Sequence, residues 1–127
     1  MNLYALAAVA GGAVLGAWLR WGLSAWLNPI LPPLPLGTLA ANLTGGYLIG
    51  LAIAYLGHHA GLAPEWRLFA ITGFLGALTT FSTFSAEVVT LLLREQFGWA
   101  LATVAMHLLG SLSLTLLGIW TFKLLKG

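Results

Sequence analysis

Four long apolar stretches divide this sequence, and they limit what the chain can fold into more than any other feature. They run from about residue 3 to 27, 36 to 56, 68 to 93 and 97 to 123. A helix needs about 20 apolar residues to cross the roughly 30 Å of hydrocarbon in a bilayer, and each stretch is long enough. The sequence therefore predicts an all-α integral membrane protein, with one transmembrane domain of four helices over residues 1–127.

The composition supports this prediction and excludes several functions. Hydrophobic residues make up 60% of the chain and charged residues 6%, whereas a soluble helical bundle needs polar outer faces. The N-terminus has neither the basic region nor the cleavage site of a secretory signal, so we expect it to form the first span. Five cations are too few for a phosphate-binding surface, so no nucleic-acid partner is expected. No phosphate-binding loop, Ser-His-Asp arrangement or carboxylate pair is evident, so we do not expect an enzyme.

The few cations near the span ends are almost balanced between the two sides of the membrane. With four spans, Arg67, Lys123 and Lys126 lie on one side and Arg94 on the other. The positive-inside rule then gives only a weak preference, so the sequence allows insertion in both orientations and hence an antiparallel dimer. Oligomerisation is also expected because four helices enclose too little space to shield a polar path from lipid.

Two pairs of glycines four residues apart allow helices to approach closely. They are Gly12 and Gly16 in the first stretch, and Gly46 and Gly50 in the second. Such pairs are found both between subunits and between helices of one subunit. The sequence leaves these two alternatives open.

The segment 73–85 in the third stretch, GFLGALTTFSTFS, is unusual for a membrane anchor. Its glycines and hydroxyl side chains weaken a helix and compete for backbone hydrogen bonds. We therefore predict a break in the third helix at this point. Such a break would leave carbonyl oxygens without helical partners, and broken membrane helices commonly use them to bind a small cation. The alternative is a continuous helix whose hydroxyls bond to its own carbonyls.

Several polar or aromatic side chains would lie at the depth of this segment. Phe81 and Phe84 share a helix face and could present positive ring edges to an anion, although two phenylalanines at this spacing are often simply core residues. Asn42 lies inside the second stretch and needs hydrogen-bond partners there. In the fourth stretch a polar stripe recurs every four residues, and it could be a path for an ion or hydrogen-bonded contact between helices: His107, Ser111 and Thr115.

Arg20 lies inside the first stretch, where a guanidinium is costly and attracts anions or carbonyls. It could therefore recruit ions or have a purely structural role. Glu87 in the third stretch is an acidic counterpart, but the sequence does not determine whether the two side chains pair.

Segments 12–20, 37–45 and 73–85 together give the chain a resemblance to a known family. It resembles the small bacterial fluoride channels called Fluc or CrcB over essentially its whole length, and segment 73–85 is the most specific match. The resemblance implies an antiparallel, dual-topology homodimer in the bacterial inner membrane, with two fluoride pathways each bordered by both subunits. It also implies a central sodium ion that is structural and not transported, held by the backbone carbonyls of Gly76 and Thr79.

The resemblance further implies passive fluoride efflux, and thus resistance to fluoride toxicity, through a pathway of uncharged side chains. His107 departs from the family pattern, which has an aromatic residue, often tyrosine, at this position. The residues expected along the pathway are Asn42, Phe81, Phe84, Ser82, Thr83, Ser85, His107, Ser111 and Thr115.

Two other functions fit a four-helix membrane protein. One is a proton-coupled transporter of the small multidrug type, which would need a membrane-embedded glutamate in the first helix, and this helix has no carboxylate. The other is a non-conducting scaffold subunit, which would leave the polar stripe of the fourth helix unexplained.

Overall fold

The computed structural model describes residues 2–126, so the two ends of the predicted 1–127 domain lie outside it. The chain is helical throughout, with short connections. The helices are α1 (Leu3–Leu27), a 3₁₀ turn (Asn28–Ile30), α2 (Leu36–His58), α3 (Pro64–Arg67), a π-helical segment (Leu68–Leu75), α4 (Gly76–Leu78), α5 (Phe81–Leu93) and α6 (Phe97–Lys126).

These elements form four spans, each long and apolar enough to cross a membrane. The spans are Leu3–Ile30, Leu36–His58, Pro64–Leu93 and Phe97–Lys126. Many large apolar side chains are exposed on their outer faces, among them Trp18, Leu93 and Leu125, as expected where lipid replaces water. The predicted all-α, multi-pass membrane architecture is confirmed.

The observed helix bounds differ from the expected ones at three ends. Helix α2 continues to His58, whose Nδ1 lies 3.0 Å from the Ala54 carbonyl oxygen. The third span begins at Pro64, because proline suits the first position of a helix, where its missing N–H is not needed. Helix α6 continues through its terminal lysines to Lys126. The polar residues 65–67, expected in a loop, are therefore helical.

Asn28 connects the first two spans. Its side-chain oxygen accepts hydrogen bonds from the N–H groups of Gly37 and Thr38, at 2.7 and 3.1 Å. These are unpaired donors of the first turn of α2, and the preceding Pro35 offers no side-chain cap. A residue at the end of α1 thus caps α2, which fixes the angle between them.

The glycine pair in α1 packs against the third span of the same subunit. A Cβ at Gly12 would meet the carbonyl oxygen of Phe69, and one at Gly16 would meet the carbonyl oxygen of Phe74. The two backbones are in contact because neither glycine has a side chain. This pair serves packing within the subunit, one of the two alternatives that the sequence left open.

The glycine pair in α2 has the same role against α6. A Cβ at Gly46 would meet the backbone of Ser111, and one at Gly50 would meet the carbonyl oxygen of Thr115. From the opposite side, Gly118 lies against the Tyr47 carbonyl oxygen. Helices α2 and α6 therefore form one close pair, and α1 and the first half of the third span form another.

A π-helical segment in the third span, Leu68–Leu75, was not predicted. Such segments are rare and occur mostly at functional sites. This one widens the helix where Gly73 packs against the Val9 carbonyl oxygen of α1. It also lies directly before the interruption of the third span.

Candidate functional site

The third span is interrupted at Thr79 and Thr80, which lie between α4 and α5. Both residues have extended backbones, with φ −85° and ψ 154° for Thr79 and φ −149° and ψ 114° for Thr80. The interruption falls in the glycine- and hydroxyl-rich segment where the sequence predicts a break.

Asn42 of α2 stabilises the interruption through its side-chain amide. Its Oδ1 accepts from the Thr80 N–H at 2.8 Å, and its Nδ2 donates to the Thr80 carbonyl oxygen at 3.1 Å. In an extended residue the N–H and the C=O point to the same side, so one amide reaches both. The N–H and C=O groups of Thr80 therefore have hydrogen-bond partners inside the membrane, although the helix is broken there.

Thr80 also begins the second half of the span. Its hydroxyl oxygen accepts from the Thr83 N–H at 3.1 Å and lies 3.3 Å from the Ser82 hydroxyl. This is an N-cap contact, which satisfies one of the free donors at the start of α5. The Thr80 hydroxyl thus caps the helix that begins directly after the break.

The same contacts remove the helical partners of two carbonyl oxygens. In a continuous helix the Gly76 oxygen would accept from the Thr80 N–H, which here donates to Asn42. The Thr79 oxygen would likewise accept from the Thr83 N–H, which here donates to the Thr80 hydroxyl. Both oxygens thus lack their usual helical donors, and neutral carbonyls are ligands that suit a hard cation. The residues present thus fit a sodium site.

His107 of α6 lies beside Asn42. Its Nδ1 is 3.0 Å from Asn42 Nδ2, and its ring packs against that of Phe84 with 4.7 Å between centroids. The residue is only 4% exposed. Its other ring nitrogen, Nε2, is buried and has no hydrogen-bond partner within residues 2–126.

A cleft of about 810 Å³ runs along these residues between α2, the two halves of the third span and α6. It is open to the outside of the subunit. Its wall is mostly apolar, and its polar side chains are Asn42, Thr79, Thr80, Ser85, His107 and Ser111. Among the lining residues in the described part of the chain, none is Asp, Glu, Lys or Arg.

Phe81 and Phe84 both line the cleft, with their ring centroids 5.5 Å apart and their planes at 65°. The edge of one ring therefore faces the other. Phe81 is 79% exposed, so in the single subunit it is not a core residue. Phe84 is partly buried, against His107.

Comparison with known proteins identifies the family. The family model described as "CrcB-like protein, Camphor Resistance (CrcB)" matches residues 7–119. The chain belongs to the CrcB family. It is similar to proteins named fluoride-specific ion channel FluC, and the one from Nitrosospira multiformis is 67% identical over 123 residues, covering 97% of this chain and 96% of the relative.

Two further FluC relatives cover almost the full length as well. The protein from Cupriavidus taiwanensis is 63% identical over 118 residues, or 93% of this chain and 94% of the relative. That from Burkholderia pseudomallei (strain 668) is 61% identical over 120 residues, or 94% of each chain. The family suggested by the sequence is thereby confirmed, and the names of these relatives are those of a channel and not of an enzyme.

The structure of this CrcB chain brings only some of the predicted pathway residues into the cleft. Those that line it are Asn42, Phe81, Phe84, Ser85, His107 and Ser111. Ser82, Thr83 and Thr115 lie outside the lining. Thr115 instead donates to the carbonyl oxygens of Gly46 and Ser111, at 2.8 and 3.0 Å. Part of the polar stripe on α6 therefore makes a hydrogen-bonded contact between helices, which was one of the two alternatives given by the sequence.

Arg20 and Glu87, whose pairing the sequence left open, have different partners. Arg20 donates from Nε to the Ala77 carbonyl oxygen at 3.0 Å, just before the break. Glu87 accepts from the Thr38 hydroxyl at 2.6 Å. In this subunit Arg20 thus contacts backbone rather than a carboxylate. The Thr38 contact was not predicted, because residues 49 positions apart have no local signal that links them.

Proposed function

We propose that this chain forms a fluoride-selective channel through which fluoride leaves the cell passively. The observation that carries the proposal is the cleft beside the broken third span, whose wall contains uncharged polar groups and the rings of Phe81 and Phe84. The names of the similar proteins support it independently. Four apolar spans place the proposed pathway in the membrane, and for a bacterial chain this is the inner membrane.

The chemistry of the cleft suits a small, strongly hydrated anion. A pore must replace the water around fluoride with other donors, and hydroxyl and imidazole groups can donate without a fixed charge that would hold the ion. Ring edges carry partial positive charge and add weaker attraction. A lining without lysine or arginine permits release as well as entry.

Efflux from liposomes tests this proposal directly. Purified protein is reconstituted into liposomes loaded with fluoride or with chloride, and release is followed with ion-selective electrodes. We expect fast fluoride release and much slower chloride release, without ATP and without a proton gradient. Equal rates would contradict selectivity, a proton requirement would favour the coupled transporter, and no release would favour the scaffold.

We also propose that the chain functions as an antiparallel, dual-topology homodimer. The cleft supports this, because its few polar groups would otherwise face lipid, where polar groups are costly. A second copy could close it and so give each pathway walls from both subunits. The near balance of Arg67, Lys123 and Lys126 against Arg94 is consistent with insertion in both orientations.

Cysteine labelling tests the topology, since the chain has no cysteine of its own. A single cysteine at His59, in the loop after α2, is exposed to an impermeant reagent on sealed cells or vesicles. We expect about half of the copies to react from each side, which is what mixed insertion gives. Labelling from one side alone would contradict dual topology.

A structural sodium ion at the dimer centre is the third part of the proposal. The carbonyl oxygens of Gly76 and Thr79 support it, because their helical partners are engaged elsewhere. Two carbonyls from each subunit would make a set of four neutral ligands. The ion would neutralise the partial negative charge that the break concentrates and so stabilise the assembly.

A further inference from the structure

Asn42 has no amide hydrogen left for an anion, because both hydrogens of its Nδ2 have partners: the Thr80 carbonyl oxygen at 3.1 Å and His107 Nδ1 at 3.0 Å. We propose that His107, fixed by Asn42 with its proton on Nε2, is the N–H donor that fluoride meets in the cleft, and that Asn42 acts as a positioning residue. This inference rests on the proposed fluoride channel.

The orientation of the Asn42 amide follows from Thr80. The Thr80 N–H needs an acceptor, and the Thr80 carbonyl needs a donor. Only one of the two amide orientations satisfies both, with Oδ1 toward the N–H and Nδ2 toward the carbonyl. The flipped amide would place two donors together and two acceptors together. The interruption of the third span therefore fixes the amide orientation in which Nδ2 of Asn42, and not Oδ1, faces His107.

The orientation of the amide in turn fixes the histidine tautomer. Nδ1 of His107 faces an N–H₂ group, so it must accept. In a neutral imidazole one nitrogen accepts and the other carries the proton, so the proton lies on Nε2. A chain of contacts thus runs from the Thr80 backbone through Asn42 to His107, and each link determines the next.

The Nε2–H group has the environment of a donor that lacks its ligand. Nε2 is buried and has no partner within the described residues, in a side chain that is only 4% exposed. Buried donors are rarely left unpaired. His107 lines the cleft together with Phe84 and Ser111, so a shift of the side chains that cover Nε2 would let a small anion in the cleft accept from Nε2–H.

Nitrogen NMR tests the tautomer without relying on ion flux. The chain has three histidines, and in the double variant H58Q/H59Q the remaining ¹⁵N-histidine signals belong to His107. In the reconstituted H58Q/H59Q dimer we expect Nδ1 unprotonated and Nε2 protonated. We also expect the Nε2–H resonance to shift when fluoride is added but not when chloride is added. The substitution N42L should allow a measurable Nδ1–H population.

Efflux from liposomes tests the donor role with substitutions of one residue. H107F keeps an aromatic ring without a donor, whereas H107Y and H107Q each retain one. We expect H107F to lower fluoride efflux about tenfold or more, because a hydrogen bond to a charged group is worth at least that factor. The other two variants should remain within a few-fold of the parent. The matched control H59F lies in the loop after α2, outside the cleft lining, and should leave efflux unchanged.

The outcomes separate this inference from the proposed function. An Nδ1–H tautomer, an Nε2–H resonance indifferent to fluoride, or normal efflux by H107F would overturn the donor role while the parent protein still conducts fluoride selectively. An unchanged Nε2–H tautomer in N42L would overturn the positioning role of Asn42. Absence of selective efflux from the parent protein would instead contradict the channel itself.

Discussion

Thr38 and Glu87 are joined by a hydrogen bond of 2.6 Å from Oγ1 to Oε2, which connects α2 to the second half of the third span. Thr38 is only 1% exposed. The second carboxyl oxygen of Glu87, Oε1, is buried without a partner within residues 2–126. Beyond the break, α5 packs chiefly against α6, and this hydrogen bond connects it to α2 as well.

Removing the Thr38 hydroxyl should therefore destabilise the fold. The substitution T38V keeps the branched shape but leaves the Glu87 carboxyl without this donor, and we expect a loss of about 1–3 kcal/mol, the usual cost of an unsatisfied buried polar group. Thermal unfolding in detergent, followed by tryptophan fluorescence, measures it. The control is T121V, because Thr121 bonds only to the Leu117 carbonyl of its own helix. Equal shifts for both variants would show that the Thr38 contact contributes nothing specific.

The contact between α1 and the third span should respond to a single methyl group. A Cβ at Gly16 would meet the Phe74 carbonyl oxygen and would lie 2.9 Å from the Leu78 nitrogen. Since backbone cannot move aside as a side chain can, we expect G16A to lower the free energy of unfolding by about 1–3 kcal/mol, as overpacking usually does.

Gly22 provides the matched control for that substitution. It lies in the same helix, and a Cβ there would meet no heavy atom of residues 2–126 within 4 Å apart from the neighbouring backbone of its own helix. Alanine is a better helix former than glycine by about 0.8–1 kcal/mol, so G22A should be neutral or stabilising. Opposite signs for the two variants are the expected result of thermal unfolding. Destabilisation by both would indicate that helix α1 is sensitive to any added volume.

The spans and the site of the break could be predicted from the sequence because their causes are local. Twenty apolar residues form a span wherever they occur, and hydroxyls between residues 79 and 85 weaken the helix that contains them. The contact of Asn42 with Thr80 could not be predicted, because the two residues are 38 positions apart. The sequence indicated that its amide needs partners but not which ones. The π-helical segment has no distinct composition and was missed for that reason.

The polar stripe of α6 shows a further limit of sequence patterns. His107, Ser111 and Thr115 recur at one interval, yet only the first two line the cleft, and Thr115 bonds to the Gly46 carbonyl of α2. A period of four residues places side chains on one face, but it does not say what faces them. Here the close approach of Gly46 and Gly50 to α6 brings backbone carbonyls to part of that face.

The stabilisation of the dimer by sodium should depend on the backbone carbonyls at the break and not on the Thr79 side chain. The Thr79 hydroxyl donates to the Leu75 carbonyl at 2.8 Å, and T79S keeps this bond. Replacing sodium with N-methyl-D-glucamine should therefore destabilise the T79S dimer as much as the parent dimer. In N42L the Thr80 N–H is released and can return to the Gly76 oxygen, so the same exchange should have a smaller effect.

Thermal unfolding of the reconstituted or detergent-solubilised dimer in the two salts measures this difference. N42L also loses the pairing of two backbone groups, so its absolute stability should fall, and only the change between salts is diagnostic. If T79S lost the sodium effect while N42L kept it, the cation would depend on the threonine side chain, and the assignment to carbonyls would be wrong.

Phe81 offers the sharpest distinction between a pathway residue and a packing residue. It is 79% exposed in the subunit and meets Phe84 edge to face at 5.5 Å. If its ring edge attracts fluoride, F81I should reduce fluoride efflux strongly because the partial positive charge is lost. Apolar swaps of similar size usually cost below about 1.5 kcal/mol, so the dimer should still assemble. The control is F97I, since Phe97 is the same residue type and is also exposed, at 62%, but lies outside the cleft lining. Efflux from liposomes measures the effect, and chemical cross-linking measures the dimer content. Normal efflux by F81I dimers would show that this ring is not part of the pathway. Loss of efflux together with loss of dimers would make it a packing residue at the subunit interface.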